Sequence, residues 1–440
     1  MTSSIISRRQ ILRAGMAGVA LATVGGCSDG SGGSDDSTTA ATTLTIPVSS
    51  SPWLNGFKAV VNQYQGDHGV SIKLNEYPLD GLRTAEATAI QGGNNPFDLF
   101  LILEAWAGQF YSRGWVQPIA NADPNFQPDK NLLSFDNLAN WDSSSGTFSS
   151  NGNLMGIPYQ GNMEIFIYRK DIYAKLGLAV PKTWDDVIAN ARKGMASGLA
   201  KYGMVIRGQG TAGGTGNSLD FLTILQTYGA NYYTQGRTEG VNNPKGIKAA
   251  ETFKALTQLG PSTPQSIGQN EVLAALQSGA AMQGTGTASI APGLEDRSKS
   301  LVAGKLGYAI LPAGDQGKPA VTEAVFTFAI PAGLKKSRAL AAAKFLNYIQ
   351  GSQAQEIFYK NGGIPTNRAV YDNHKKDGAA YIIANGQSLD YAVASVRVPW
   401  SAAMLPPVEV IIENMVAGKL TPTQAMSDMA EVLTQAAKSQ

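Results

Sequence analysis

Polar and aromatic residues follow two of the strands that the sequence predicts. They are Ser50, Ser51 and Trp53 after segment 44–48, and Glu104 and Trp106 after segment 97–103. Sugars present apolar C–H faces on which aromatic rings stack, and hydroxyl groups that pair with polar side chains. A buried polar group without its partner costs about 1–3 kcal/mol, which is where selectivity arises. The pattern favours a site for a small hydroxylated molecule; packing within the fold is the alternative for each aromatic ring.

A glycine-rich segment, Gly208–Gly216, begins with the pattern G-x-G-x-x-G after a predicted strand, Tyr202–Arg207. In dinucleotide-binding folds an acidic residue follows this pattern after about 20 residues. Here the next candidate is Glu239, beyond the predicted helix 219–228, so the dinucleotide interpretation is disfavoured. A wide glycine loop that opens a helix is the better interpretation. Its backbone N–H groups, together with Arg207, offer a site for an anionic group of a ligand.

Catalytic and metal-binding arrangements are not indicated by the sequence. His68 and His374 lie far apart and match no metal-ligand spacing, and no motif supports Ser–His–Asp catalysis. Glu104, Glu164 and Glu323 are candidates for a glycosidase pair, but only their number supports that hypothesis. We therefore predict a protein without metal, cofactor or enzymatic activity, with a secreted carbohydrate-active enzyme as the alternative.

Strand and helix signals alternate along the part of the chain that positions these residues. Segments 44–48 and 70–74 have the pattern of strands, and helical spacing of apolar residues follows the first of them at 53–64. Segment 97–103 is a nearly continuous apolar run, typical of a strand buried on both faces. This alternation favours a parallel, doubly wound sheet.

Three helix starts are readable from capping residues. Thr183 and Thr421 each begin a capping box, and Ser337 is predicted to cap a helix over 338–350. Trp184 directly follows one of these caps and is therefore expected to pack in the core.

The N-terminal segment is typical of an export signal. Arg8 and Arg9 precede an apolar run over 14–24 that is too short and too rich in Gly and Ala to remain in a bilayer. Paired arginines followed by apolar residues resemble the twin-arginine export signal, and an ordinary Sec signal is the alternative. Residues 1–26 are predicted to form this signal.

Cys27 follows Val24-Gly25-Gly26 in a sequence that resembles the lipobox of bacterial lipoproteins. In lipoproteins the peptidase cuts before this cysteine, and its thiol carries a diacylglycerol; a buried structural thiol is the alternative. Cys27 is the only cysteine among 440 residues, so an intrachain disulfide is impossible. Residues 27–43 are rich in Ser, Gly, Thr and Asp and are predicted to be a flexible tether. We expect an exported, lipid-anchored protein on the outer face of the cytoplasmic membrane.

The charge of the remaining chain argues against a nucleic-acid partner. Removal of residues 1–26 takes away three arginines and no acid, so Lys and Arg fall from 35 to 32 against 33 Asp and Glu. A nucleic-acid-binding protein needs a basic face. About 400 residues remain, which is enough for two lobes with separate cores.

Eight short segments occur in an order that is specific as a set, although each is weak alone. They are Gly156–Tyr159, Ile167–Tyr173, Leu176–Leu178, Pro181–Asp186, Ala280–Met282, Phe328–Pro331, Gly362–Thr366 and Gly418–Ala425. Together they resemble the extracellular sugar-binding proteins of bacterial ABC importers, the group that includes maltose-binding proteins.

The resemblance implies two doubly wound α/β lobes joined by a hinge that the chain crosses three times, near 159–162, 311–321 and 353–372. The implied limits are 44–159 plus 320–354 for the N-terminal lobe, and 160–319 plus 355–440 for the C-terminal lobe. A ligand then binds between the lobes at the carboxyl ends of the strands, and hinge motion closes the lobes over it.

The resemblance also adds candidate binding residues. They are Gln160 and Asn162 at the first crossing, Thr285 and Thr287 after the Ala280–Met282 segment, and Arg397 and Trp400 in the late segment 396–406. Maltose-binding proteins place a ligand carboxylate where this chain has Asn162, and relatives often carry a tryptophan near Thr285 and Thr287. Both are departures, and they argue against maltose itself as the ligand.

The predicted function is capture of a sugar or oligosaccharide by a monomer and its delivery to the transmembrane subunits of an ABC permease. A glycerophosphodiester, a polyol and an oligopeptide are alternative ligands within the same fold. Arg207, Arg397 and the Gly208–Gly216 loop are the features that would favour a phosphate.

Overall fold

A computed structural model describes residues 40–211, 215–234 and 237–439. The predicted signal 1–26, the lipidation site Cys27 and most of the predicted tether lie outside the described residues. The first strand begins at Thr43, and the N–H of Ala41 donates to the carbonyl of Ser337. The last residues of the predicted tether therefore belong to the folded part, because strand pairing holds them.

Twelve strands lie within the described residues. They are β1 (Thr43–Ser49), β2 (Ser71–Tyr77), β3 (Phe100–Leu103), β4 (Val116–Gln117), β5 (Asn140–Asp142), β6 (Thr147–Phe148), β7 (Asn153–Leu154), β8 (Gly156–Arg169), β9 (Gln283–Thr287), β10 (Leu306–Ala309), β11 (Val321–Pro331) and β12 (Ala392–Val393). The predicted strand Tyr202–Arg207 is wrong: Tyr202 and Val205 form only isolated bridges, to Ala281 and Gly284.

Sixteen α-helices lie within the same residues. They are α1 (Leu54–His68), α2 (Leu79–Gln91), α3 (Glu104–Ser112), α4 (Ile119–Ala122), α5 (Lys170–Leu176), α6 (Trp184–Ala196), α7 (Asn217–Thr227), α8 (Pro244–Thr257), α9 (Gln269–Gln277), α10 (Ala291–Glu295), α11 (Lys336–Ile349), α12 (Ser352–Lys360), α13 (Arg368–His374), α14 (Ala380–Ser388), α15 (Ser401–Val416) and α16 (Pro422–Lys438). The capping boxes at Thr183 and Thr421 are confirmed. Ser337 lies inside the first turn of α11 and is not its cap. No described helix has both the length and the apolar composition needed to span a membrane.

The two lobes share the long strands β8 and β11. β8 pairs with β11 from Gly156 to Met163, with β9 from Glu164 to Tyr168, and with β10 from Phe166 to Arg169. β11 also pairs with β3 and β4 on the opposite side. All these pairs are antiparallel, whereas β1 with β2 and β11 with β12 are parallel. The sheet is therefore mixed rather than parallel, because strands that return through it need no helical crossover.

Aromatic side chains form the core beside the first half of β8. The rings of Trp53 and Phe326 lie 5.6 Å apart, and those of Phe57 and Phe328 lie 4.9 Å apart. Phe358 of α12 packs against α1, where a Cβ at Gly56 would lie 2.8 Å from the Phe358 ring. α12 therefore belongs with α1, although the predicted limit at 354/355 would divide this helix.

A second group of aromatic residues packs between α7 and α8. The rings of Phe221 and Phe253 lie 5.5 Å apart, and Tyr232 is fully buried beside them. Trp184 is 1% exposed, and its indole N–H donates to Thr227 Oγ1 at 3.0 Å, which confirms its predicted place in the core.

Candidate functional site

A cavity of about 760 Å³, part of it open to solvent, lies where β8 and β11 meet α3 and α7. Its polar lining residues are Ser51, Glu104, Asn162, Arg207, Thr215, Ser218, Gln269, Thr287, Ser289, Glu323 and Ser395. Its other lining residues are Pro52, Trp53, Leu79, Leu103, Ala105, Leu219, Leu222, Tyr232, Ala324, Phe326, Val396 and Leu405. Polar and apolar residues are thus present in nearly equal number, as a ligand with hydroxyl groups and C–H faces requires.

Half of the predicted site residues line this cavity. They are Ser51, Trp53, Glu104, Asn162, Arg207 and Thr287. Most of them stand at or just beyond the end of a strand or at the point where β8 changes partner, which is why their positions were readable from the sequence.

The other predicted residues do not reach the cavity. Ser50 is exposed, and Trp106 is buried within its own lobe. Gln160 accepts from the N–H of Ile364, and the Thr285 hydroxyl donates to Asp220 at 3.1 Å. The indole N–H of Trp400 donates to the Tyr233 hydroxyl at 2.8 Å. The Trp400 ring therefore packs against Tyr233 and does not line the cavity.

Arg397, the remaining candidate, lies behind the cavity wall and joins two of its carboxylates. Its Nε donates to Glu104 Oε1 at 2.7 Å, and its Nη2 donates to Glu323 Oε2. The N–H of Ser395 donates to the same Glu104 oxygen at 2.9 Å. Burial raises the pKa of Glu323 above the usual carboxyl range, and repulsion from Glu104 raises it further, while the Arg397 charge opposes both.

A left-handed turn completes the surroundings of Arg397. Phe135, Asp136 and Asn137 have φ values of 45°, 50° and 61°, and the carbonyl of Asp136 accepts from Arg397 Nη1 at 2.9 Å. For residues with a Cβ this conformation costs roughly 1–2 kcal/mol each. The turn persists because contacts such as the one to Arg397 offset that cost, so it fixes the guanidinium plane.

Arg207 forms a second centre of the same composition. Its Nε donates to Asp220 and its Nη2 donates to Glu164, and the three side chains are buried. Burial raises the pKa of Glu164, and repulsion from Asp220 adds to that, although Arg207 lowers it. Each buried arginine is thus neutralised by carboxylates of this chain.

The glycine-rich loop contacts a carboxylate of the chain and not an open cleft. In its described part, the N–H groups of Thr211 and Gly216 donate to Glu409 at 2.6 and 2.5 Å. The N–H of Gly210 donates to Glu413 at 2.7 Å. A Cβ at Gly210 would lie 2.7 Å from the Glu409 Cβ, so this glycine permits the close approach. The expectation that the loop offers these N–H groups to an anionic ligand is therefore wrong.

Asn162 is engaged with a residue that the sequence did not suggest. Its Nδ2 donates to Ser289 Oγ at 3.1 Å, and its Oδ1 accepts from the Ser289 N–H at 3.1 Å. Thr287 Oγ1 lies 3.2 Å from the same hydroxyl. This cluster ties β8 to the segment that follows β9. Ser289, Ser395, Tyr232 and Glu409 carry no local motif, since only the fold brings them to the site.

Clusters of three or more His, Cys, Asp or Glu residues with metal-binding geometry are absent from the described ranges. His68 stacks on the ring of Tyr64, with centroids 4.3 Å apart, and His374 lies 2.8 Å from Glu356.

The family described as bacterial extracellular solute-binding protein matches residues 50–356. The chain belongs to this family. Among relatives in the family, a probable ABC transporter-binding protein from Deinococcus radiodurans is 30% identical over 214 residues, and the mannitol-binding protein of Pseudomonas aeruginosa is 28% identical over 271 residues. The aligned parts are 47% and 60% of this chain. The chain spans 49% and 58% of the length of these two relatives.

A third relative aligns with a larger part of this chain. The erythritol/L-threitol-binding protein of Mycolicibacterium smegmatis is 23% identical over 406 residues, which are 85% of this chain and 84% of the relative. A solved structure of a maltose-bound protein from T. maritima has a TM-score of 0.79 at 19% identity and covers 90% of this chain and 100% of that one. A mannitol-bound solute-binding protein from Agrobacterium vitis has a TM-score of 0.76 at 22% identity, covering 91% and 99%. These structures establish the two-lobed fold.

Proposed function

We propose that this solute-binding protein captures an uncharged sugar or polyol in the cavity between its lobes and presents it to an ABC permease as a monomer. The observation that carries the proposal is the composition of the cavity, which combines polar side chains with aromatic and aliphatic ones, and whose neighbouring arginines are neutralised internally. The printed names of two relatives, which specify mannitol and erythritol or threitol, support a polyol or sugar as the ligand.

A phosphate or phosphodiester fits this site poorly. Arg207 and Arg397 each pair with two acidic side chains, so an incoming anion meets two arginines whose charge is already balanced by carboxylates of the chain. The described N–H groups of the glycine-rich loop already bind Glu409 and Glu413. Replacing these contacts would leave buried charges without partners, which is costly.

The hinge that opens this cavity follows from the pairing of β8. We infer that the first crossing lies at Met163 and Glu164, where β8 exchanges β11 for β9. The second crossing precedes β11, at 311–321. The third follows Lys360, the last residue of α12, because α12 packs on α1. Closure about these three connections would shut the cavity.

We further propose export through the signal 1–26, lipidation at Cys27 and a tether that ends near residue 40. The lipobox-like sequence before Cys27 supports this anchor, which would keep the protein beside its permease. Fractionation of cells that express Cys27→Ser tests it, because the variant should leave the membrane fraction while the unmodified protein stays.

A secreted carbohydrate-active enzyme is the competing function. Glu104 and Glu323 both bind Arg397, and Glu164 binds Arg207, so none of the three stands free as a nucleophile. Catalytic hydrolysis of a glycan by the purified protein would overturn the binding proposal.

A thermal-unfolding screen tests the ligand class. The panel is D-mannitol, erythritol, maltose and glycerol 3-phosphate. A ligand at 100 times its dissociation constant stabilises the folded state by about 2.7 kcal/mol. We expect stabilisation by at least one neutral compound and none by the phosphate. Stabilisation by glycerol 3-phosphate alone would contradict the proposal.

A further inference from the structure

Two buried side-chain oxygens of residues that line the cavity have no hydrogen-bond partner among the described residues. They are Oε2 of Glu104 and Oγ of Ser395. An unmatched buried polar atom costs about 1–3 kcal/mol, and native proteins match nearly all such atoms with protein, ligand or water. Two such atoms in one wall therefore indicate a place that a ligand group fills.

The two residues are joined to each other through the other oxygen of the carboxylate. Glu104 Oε1 accepts from the Ser395 N–H at 2.9 Å and from Arg397 Nε at 2.7 Å. This oxygen is fully used, and its two donors fix the direction in which Oε2 and the Ser395 side chain lie. The pair is thus held in place before any ligand arrives, which lowers the entropic cost of binding.

Both lobes hold this pair. Glu104 is the first residue of α3, directly after β3. The carbonyl of Ala394, the residue before Ser395, accepts from Gln226 Nε2 of α7 at 3.2 Å. A ligand group placed between Glu104 and Ser395 would therefore bridge residues that two different parts of the fold hold in place.

The pair offers acceptors and one hydroxyl. Each of the three guanidinium nitrogens of Arg397 already donates, to Glu104, Glu323 or the carbonyl of Asp136. A ligand group that donates a hydrogen bond is matched here, whereas a carboxylate or phosphate would face Glu104 directly. The neighbouring lining residues Leu103 and Val396 are apolar, so little water competes.

We propose that Glu104 and Ser395 form a subsite for one hydrogen-bond-donating group of the ligand, an O–H or an N–H, and that Ser395 determines which groups are accepted there. This rests on the proposed function of the cavity as a sugar or polyol site. Among the described residues the Ser395 hydroxyl has no hydrogen-bond partner, so it remains available to a group of the ligand.

Isothermal titration of the full chain with D-mannitol, erythritol and maltose tests the subsite, using Ser395→Ala. Loss of one hydrogen bond to a buried group should weaken the binding of the compound that binds by roughly 5- to 30-fold. The thermal unfolding of the ligand-free variant should be unchanged. Ser278→Ala is the matched control, because Ser278 is exposed and is not among the residues that line the cavity. Its affinity should equal that of the unmodified protein.

A second arm distinguishes O–H from N–H donors and tests the carboxylate. D-Glucosamine and D-glucose are compared on the unmodified protein and on Glu104→Gln. If the subsite accepts an ammonium group, glucosamine should bind more tightly than glucose, and Glu104→Gln should weaken glucosamine binding more than glucose binding. If the subsite accepts a hydroxyl group, glucose should bind more tightly.

The outcomes separate this inference from the function on which it rests. If no neutral compound binds the unmodified protein, both fall. If one binds equally well to Ser395→Ala, only the subsite is overturned. If Glu104→Gln does not fold, the Ser395→Ala result decides alone.

Discussion

The two arginine centres have the same composition but different partners. Arg207 binds Asp220 and Glu164, which lie 13 and 43 residues away on adjoining elements α7 and β8. Arg397 binds Glu104, 293 residues away at the start of α3, as well as Glu323 of β11. One centre therefore stiffens the wall of a single lobe, whereas the other holds a late segment of the chain against elements of the first lobe.

The difference shows that the role of a buried ion pair, in stability or in ligand binding, depends on the elements that it joins. Opening of the proposed hinge would leave the Arg207 contacts intact. It would strain those of Arg397, because the segment after Ser395 leads into α15, which packs on α7 and α16 as well as on α3. The Arg207 centre is thus expected to govern stability, and the Arg397 centre to govern ligand affinity.

The largest expected effect is that of Arg207→Met. Removal of the guanidinium leaves Glu164 and Asp220 buried without a counter-charge, which should lower the free energy of unfolding by about 3–5 kcal/mol. Urea denaturation measures it, with Arg192→Met as a control because Arg192 is exposed on α6. A loss no greater than in the control would show that the Arg207 centre is not structural.

Glu409→Gln should have the next largest effect, because Glu409 faces the same lobe wall as Arg207. The amide places an N–H group against backbone N–H donors of the loop, so the free energy of unfolding should fall by about 1.5–3 kcal/mol. Glu431→Gln on the exposed face of α16 is the matched control. Equal denaturation midpoints for both variants would contradict the proposed role of Glu409.

The pH dependence of stability tests both centres together. The folded protein retains protons on Glu164 and Glu323 where the unfolded chain has released them, since burial raises both pKa values. Their contribution to stability is therefore fully present below the unfolded carboxyl pKa and should be lost between about pH 5 and pH 9, by at most about 1.4 kcal/mol per pH unit for each group. Thermal unfolding across this range measures it.

Glu164→Gln and Glu323→Gln should each flatten that slope. Burial also raises the pKa values of Glu86, Asp220 and Glu409, so a residual slope of the same sign belongs to these three carboxyls. A slope unaltered in both variants would mean that neither carboxyl keeps its proton on folding.

The smallest expected effect is that of Arg397→Lys on ligand affinity. Arg397→Lys keeps the charge, but a lysine cannot contact Glu104, Glu323 and the Asp136 carbonyl together. We expect binding of the best neutral ligand to weaken by about fivefold, roughly 1 kcal/mol, with little loss of stability. Calorimetric titration compares it with Arg207→Lys, for which stability should fall more than affinity. The reverse ranking would reverse the assignment of the two centres.

The parts of the fold that were predictable from the sequence depend on short-range patterns. The capping boxes at Thr183 and Thr421 involve residues three apart, and apolar periodicity marks α1 and β2. Ser337 failed as a cap because helix α11 begins one residue before it, at Lys336. The antiparallel pairing of β8 with β11 has no local signal, since the partners are far apart in the chain.

The site was predictable to a similar extent. Ser51 and Glu104 follow strand ends directly, and such positions converge at one edge of an α/β sheet. The Trp400 side chain is held by its hydrogen bond to Tyr233, and the glycine-rich loop is held by its hydrogen bonds to Glu409 of α15. Neither partner lies within reach of a local motif, so the sequence offered an aromatic binding residue and an anion site where the fold has internal contacts.

The position of β11 has a consequence for synthesis of the protein. β3 pairs with β11 through Leu103 and Phe326, so the edge of β3 stays open on the ribosome until most of the chain has been made. An unpaired apolar strand edge is a template for aggregation, and closing so long a loop slows folding. We therefore expect the first lobe to be most prone to aggregation before β11 has been made.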